Sequence, residues 1–543
     1  MRRPDIPTHV VKIVHNAHQG LSKRDMASNL NSSQFYIEKV KRHSFSSKLC
    51  GQIQRKFIIT FMQNILVNSD TSFQLYLVTC DKAATVTVAV SQPFFSKMVH
   101  VPQNSSRLVT LDHTYMITGQ DITYKVVMVT SDVAISVFAF NTNKVSSDAM
   151  TCLPQEDLGV EYYIVTPGGG IGGQVSGTRK QFAVANGFEP EVQVDITVSG
   201  SITYNGISYK TGDSVTLSLR NQQVIQFQSS DDLTGTKVSS SAPVAVFAGH
   251  SCYKGSDSAC DVLMDQLHPV KNWGNVFAVF PFFTHTQDVI TIVVGNPDTR
   301  VTIDSPRGVT KHSLQEGAYV RIPVDKILLI NATKPAMVSY LLHESSSPGL
   351  QYSYDPFLTT VPPSLLGRRY YQFVTRSSYN NFLLIVSQVS SDSEFYLDGK
   401  RLSSYSTTKK QFNGFIGRQV TMGKTDGQHE IYHQTSTFTL YVYGTGSTVS
   451  YGYSVGHGRP CADPHDLQPM QEAGCGLHCL PHGAKYTLAF SLVSEASLDV
   501  ADVHLEDPLC QAERDGNNIL IKIPFSGCGS KVLVKISAKW ATY

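Results

Sequence analysis

Pro243–Phe280 reads PVAVFAGHSCYKGSDSACDVLMDQLHPVKNWGNVFAVF, and the spacing inside its second half decides how the rest of the chain is read. Pro269 is followed five residues on by Gly274 and three further on by Phe277. The same frame of proline, glycine and aromatic returns as Pro154, Gly159 and Tyr162, and again as Pro362, Gly367 and Tyr370. Trp273 stands before the glycine here, and Leu158 and Leu366 hold that place in the other two copies. The glycines lie 115 and 93 residues apart. A local frame that recurs at such distances marks tandem units of roughly 100 residues rather than one large core. Leu158, Trp273 and Leu366 are then expected in equivalent buried places at the joints between units.

The 543 residues hold 45 Lys and Arg against 43 Asp and Glu, a net charge of +2, which excludes the basic footprint of a nucleic-acid binder or a polybasic membrane surface. Only 16% of residues are charged, and Ser, Thr, Val and Tyr are abundant, a balance suited to short strands. From Phe57 onward the apolar residues alternate, as at Phe73, Leu75 and Leu77, then Val86, Val88 and Val90, then Val192, Val194, Ile196 and Val198. Period two over short runs marks strands with a buried face. The expected fold is all-β: four tandem sandwich-like repeats at 55–159, 160–274, 275–367 and 368–456, with a propeller-like arrangement as the alternative. Residues 1–54 read as a poorly ordered leader and 457–474 as a linker.

Asn205-Gly206 and Asp398-Gly399 are hairpin signals, because these pairs accept the positive φ angles of a type I′ turn. Gly168, Gly170 and Gly173 satisfy the letters of a nucleotide loop, but a strand pattern follows them instead of the helix N-terminus that a phosphate needs. His250, His285 and His312 lack partners at ligand spacing, so neither a metal, a cofactor nor a catalytic group is expected. The ten cysteines, half of them from Cys461 onward, favour disulfides in an oxidising compartment. Cys252 and Cys260 bracket a short polar interval and are expected to pair. Cys475-Gly-Leu-His-Cys479 reads as disulfide chemistry rather than zinc. Asn31, Asn104 and Asn331 open glycosylation sequons. The N-terminal residues hold no apolar core of signal-peptide length, so the true start is expected upstream.

Residues from about Arg55 to Gly456 resemble the IgG-Fc-binding family, on Pro243, Cys252, Cys260, Asp261, Gln266, Leu267, Pro269, Trp273 and Gly274. The resemblance implies an extracellular, non-enzymatic binding or adhesion protein of mucus, matrix or a cell surface, with a protein or glycoprotein ligand such as a mucin, an immunoglobulin or a matrix component. Residues 475–543 resemble the N-terminal half of a zona pellucida module, on Leu505, Asp507, Pro508 and Cys510, then Ile519, Ile521 and Ile523, then Cys528 and Gly529. That likeness implies a Cys510–Cys528 disulfide and an alternative role as a polymer-forming protein with the β repeats as spacer. A hydrolase is the remote alternative.

Overall fold

The computed structural model describes residues 55–455 apart from 81, 169–176, 255–259, 283–287, 344–354 and 447–448. It also describes the backbone of strands Cys475–Leu480, Gly483–Ala489, Glu513–Asp515 and Asn518–Pro524. Contacts divide the chain into a large body, Ile53–His465, and a second made of Met1–Gln52 with Asp466–Tyr543. The second body contains an antiparallel sheet in the order 475–480, 483–489, 518–524, 513–515.

The large body repeats one topology four times. In unit one the eight strands are Arg55–Ile59, Ser72–Thr79, Ala84–Val90, Phe95–Val101, Ser106–Asp112, Val127–Ser131, Ile135–Thr142 and Ser147–Thr151. The first, sixth, third and fourth form one antiparallel sheet in that order, and the fifth, second, seventh and eighth form the other. Units two and three keep this order but run the sixth and seventh strands together as Lys237–Tyr253 and Leu328–Leu342, long strands that serve both sheets. Unit two inserts the hairpin Ser201–Tyr204 and Ile207–Lys210, whose Asn205 and Gly206 have φ of 50° and 75°. Unit four adds Thr407–Phe412 beside its fifth strand.

Strand PVAVFAG explains how the units are joined. Val244, Val246 and Ala248 point into unit two's own core, while Ala245 and Phe247 point into the core of unit one. A strand buried on both faces reads as a continuous apolar run instead of an alternation. The seventh strand of every unit is shared in this way. Met337 faces unit two's core while Val338 and Tyr340 face unit three's, and Tyr441 and Tyr443 face unit three's while Leu440 and Val442 face unit four's. The series then returns to its start, because Phe138 and Phe140 of unit one belong to the core of unit four. Four cores, each shared by successive units, close the body into a ring.

The last strands of the units meet where the ring closes: Ser147–Thr151, Asp261–Gln266, Phe357–Val361 and Ser450–Ser454 touch in a cycle. Each pairs with its own seventh strand on one side only, so each presents an open edge to its neighbours. Open edges are normally a liability. Here side chains cover them: Thr151 Oγ1 donates to Ser454 O at 2.6 Å, Ser454 N to Thr359 Oγ1 at 2.9 Å, and Met264 N to Asp148 Oδ2 at 2.9 Å.

The joints form a staircase. Each carries a single 3-10 turn, Gln155–Asp157, Val270–Asn272 or Ser364–Leu366, capped by Pro154, Pro269 and Pro363. Lys271 Nζ donates to Glu156 O at 3.1 Å and Asn272 Nδ2 to Asp157 O at 2.7 Å, so the second turn lies beside the first. After the turn, Tyr162 OH accepts from Gly159 N at 2.8 Å and donates to Val244 O at 2.6 Å, a local lock of the kind seen in the tyrosine corners of β-sandwiches. In the third joint Tyr371 OH accepts from Arg368 N at 2.9 Å and donates to Phe438 O at 2.6 Å. The equivalent of Pro154, Gly159 and Tyr162 is therefore Pro363, Arg368 and Tyr371, one residue beyond the expected Pro362, Gly367 and Tyr370. The Pro362-Pro363 doublet offers two anchors, and spacing alone selects the wrong one. The expectation for Leu366 fails for the same reason. Leu158 and Trp273 are buried, but Leu366 occupies the place of Asp157 and Asn272 and is 48% exposed.

Candidate functional site

A cleft of about 230 Å³ opens between units two and three. Its floor is a sheet face of unit three, arranged by register into two rows. Pro323, Val289, Leu341 and Leu358 are cross-strand neighbours in one row, and Arg321, Thr291 and Ser339 in the next. Val165, Thr166, Pro167 and Gly168, leaving the first strand of unit two, form the facing wall, and Tyr253 and His343 stand at the ends of the two long strands. Alternation in a strand sends every second residue to one face. That is why 289 and 291, 321 and 323, and 339, 341 and 343 line one side.

One ion pair fixes the cleft across the unit boundary. Arg321 Nη1 donates to Asp232 Oδ2 at 2.6 Å, and Nη2 donates to Thr166 O and Thr234 Oγ1, both at 3.1 Å. Tyr319 OH also donates to Asp232, at 2.9 Å, and Arg321 lies over the Tyr319 ring. Burial works to raise the Asp232 carboxyl, but Arg321 and Thr234 outweigh it and hold it down at about 2. Arg321 Nε is buried without a hydrogen-bond partner, a donor left over beside the cleft. Tyr253 OH lies 3.4 Å from His343 Nε2. The lining is thus apolar walls with a few oriented polar groups, the usual make-up of a recognition pocket.

Cys252 and Cys260 are joined by a disulfide with Cα atoms 5.1 Å apart, next to Tyr253 at the cleft's edge. Cys80 is also disulfide-bonded, and Cys152 is a buried free thiol. His250, two residues before Cys252, accepts from Cys252 N through Nδ1 at 3.1 Å; burial and then Lys180 push it down to about 3, so it is a neutral structural group. Asn104, in a turn at φ 47°, and Asn331 are both exposed. Asn31, Cys510, Cys528, His285, Gly170 and Gly173 lie outside the described residues. Arg321, Asp232 and His343 carry no sequence motif; only three-dimensional register brings them together.

A triad-like row occurs in unit four. Thr375 Oγ1 is 2.8 Å from His429 Nε2, and His429 Nδ1 is 2.8 Å from Asp398 Oδ2. Thr375 is 0% exposed and also bonds Thr425 Oγ1 at 2.9 Å. A nucleophile must reach a substrate carbonyl, and this one is sealed, so the row serves to fix strand register. Among the described residues no group of three His, Cys, Asp or Glu side chains is placed to hold a metal, and no helix is long and apolar enough to cross a membrane.

The family described as IgGFc binding protein matches residues 148–444, more than half of the chain, from the last strand of unit one to the seventh strand of unit four. Human IgGFc-binding protein is 27% identical over 429 residues, covering 78% of this chain and 8% of the human protein. The chain therefore spans a small fraction of that relative's length. These matches lend no support to a zona pellucida module at 475–543.

Proposed function

The chain belongs to the IgGFc-binding protein family, and from that premise we propose that it is an extracellular, non-enzymatic binding protein whose ligand is a protein or glycoprotein. The family match across units two to four supports this reading. The cleft between units two and three is the place to seat a ligand side chain, with the Tyr253–His343 pair as its polar contacts. Mucins, immunoglobulin Fc and matrix glycoproteins are the ligand classes to try. Outward Asn104 and Asn331 suit N-glycans, and a glycosidase that leaves the mass of the secreted chain unchanged would remove that part.

Surface plasmon resonance of the purified chain against those three classes tests the binding. Saturable binding to one of them is expected, and Pro323→Trp, which fills the exposed rim of the cleft without removing a backbone hydrogen bond, should weaken it at least tenfold at an unchanged melting temperature. Binding to none of the three, or hydrolytic turnover that copurifies with the chain, would overturn the proposal.

A further inference from the structure

Where the four last strands meet, three carboxylic acids sit out of water. Asp148 lies on the last strand of unit one, and Asp261 and Asp265 on that of unit two; none is more than 7% exposed. Each spans a boundary between units. Asp148 Oδ2 accepts from Met264 N at 2.9 Å and Leu358 N at 3.4 Å, tying units one, two and three. Asp261 Oδ1 accepts from Ser146 Oγ at 2.6 Å and Ser147 N at 2.7 Å, and Asp265 Oδ2 from Thr360 Oγ1 at 2.6 Å. Asp261 Oδ2 and Gln266 Nε2 are buried with no hydrogen-bond partner.

Among the described residues no cation stands among the influences on these three acids. The titratable groups tied to the cluster are Cys152 of unit one, on which Asp265 acts; Tyr253 of unit two, the strand partner of Asp261, with Lys254 after it; Asp355 of unit three, which acts on Asp261; and Tyr379 of unit four, which hydrogen-bonds Ser147. The charges that act on the cluster are other carboxylates, Asp265 on Asp148, and Asp355 and Asp148 on Asp261. A buried carboxylate without a cation is unfavourable, whereas the protonated acid keeps an oxygen that accepts a backbone N–H. We propose that closure of the four-unit ring is held by protons on Asp148, Asp261 and Asp265, and that loss of the Asp265 proton loosens the contacts between the last strands.

Burial is the first cause that raises all three acids, and it brings Asp265 to about 7. The sign follows. An unfolded Asp ionises near pH 4, so the folded ring holds a proton that the unfolded chain has released. The stabilisation is complete below about pH 4, declines as pH rises, and is lost above about pH 7.

The test is denaturation of the full chain and of Asp265→Asn between pH 5 and pH 8. The native protein should lose stability relative to the variant as pH rises across this range; a constant difference between the two would overturn the proposal. Should Asp265→Asn not fold, calorimetric unfolding of the native chain near pH 6 in buffers of different ionisation enthalpy decides the matter. Once the proton that His250 takes up on unfolding is allowed for, release of a proton supports the latch, and no release refutes it. Hydrogen exchange locates the effect: protection of the Met264 and Thr360 amides should fall at least tenfold more than intrinsic rates account for between pH 6 and pH 8. Protection that follows intrinsic rates alone would also refute it.

Discussion

The ring of Pro269 lies against the bare Cα of Gly159, so close that a methyl group there would fall 2.5 Å from Pro269 Cβ. Pro363 approaches Gly274 in the same way, and more tightly. The start of a unit is thus clasped to the joint at its own end, and the glycine is required by contact rather than by an unusual φ. Gly159→Ala and Gly274→Ala should each destabilise by about 1–3 kcal/mol, the usual cost of overpacking. Urea unfolding measures this, and an unchanged midpoint in both variants would mean that the joints yield freely.

The tyrosine locks give a second expectation. Tyr162→Phe takes the hydroxyl partner from Gly159 N and Val244 O and should cost about 1–3 kcal/mol, whereas Tyr371→Phe should cost less, because Arg368 N still donates to Phe438 O at 2.9 Å. Phe277 holds the corresponding place in the middle joint without a hydroxyl, and it is buried. Replacing it by alanine removes packing alone, so the loss should follow cavity volume instead.

Trp273→Ala and Leu366→Ala, equivalent by spacing, should separate widely. Trp273 is 7% exposed, donates from Nε1 to His268 O at 2.9 Å and packs against Tyr163. Its truncation should cost about 3–5 kcal/mol. The exposed Leu366 should change stability by no more than about 0.5 kcal/mol. Similar losses in the two variants would restore the expected register of the third joint.

Reduction of the Cys252–Cys260 bridge, made permanent by replacing both with serine, should lower stability by about 2–3 kcal/mol on the loop-entropy argument. Because Tyr253 follows Cys252 directly, ligand affinity should fall with it. A double variant of full stability and unaltered binding would show that the bridge does neither.

Much of this architecture was legible from residues. Alternation located the strands, Asn205-Gly206 and Asp398-Gly399 located hairpins that do hold positive φ, and the proline and glycine frame located the joints. The register of the last joint was not legible, because two adjacent prolines fit one spacing and only the Tyr371 hydroxyl distinguishes them. Closure of the ring was hidden for a different reason. Periodicity tells that Phe138 and Val137 face opposite ways, but not that Phe138 meets Tyr453, more than three hundred positions away in the chain. The cleft is a product of that same long-range register, so nothing in the sequence sets Arg321 and Asp232 apart from other charged residues.

The shared cores also set an order of events during synthesis. Phe138 and Phe140 leave the ribosome early, yet the aromatic partners that cover them, Tyr451 and Tyr453, are made some three hundred residues later. At about 5–20 residues per second that interval lasts roughly 15–60 s. Throughout it, the first unit carries an uncovered aromatic face. A nascent chain of this kind needs a chaperone at that face until its fourth unit arrives, and a ribosome stalled in unit three would leave a product prone to aggregation.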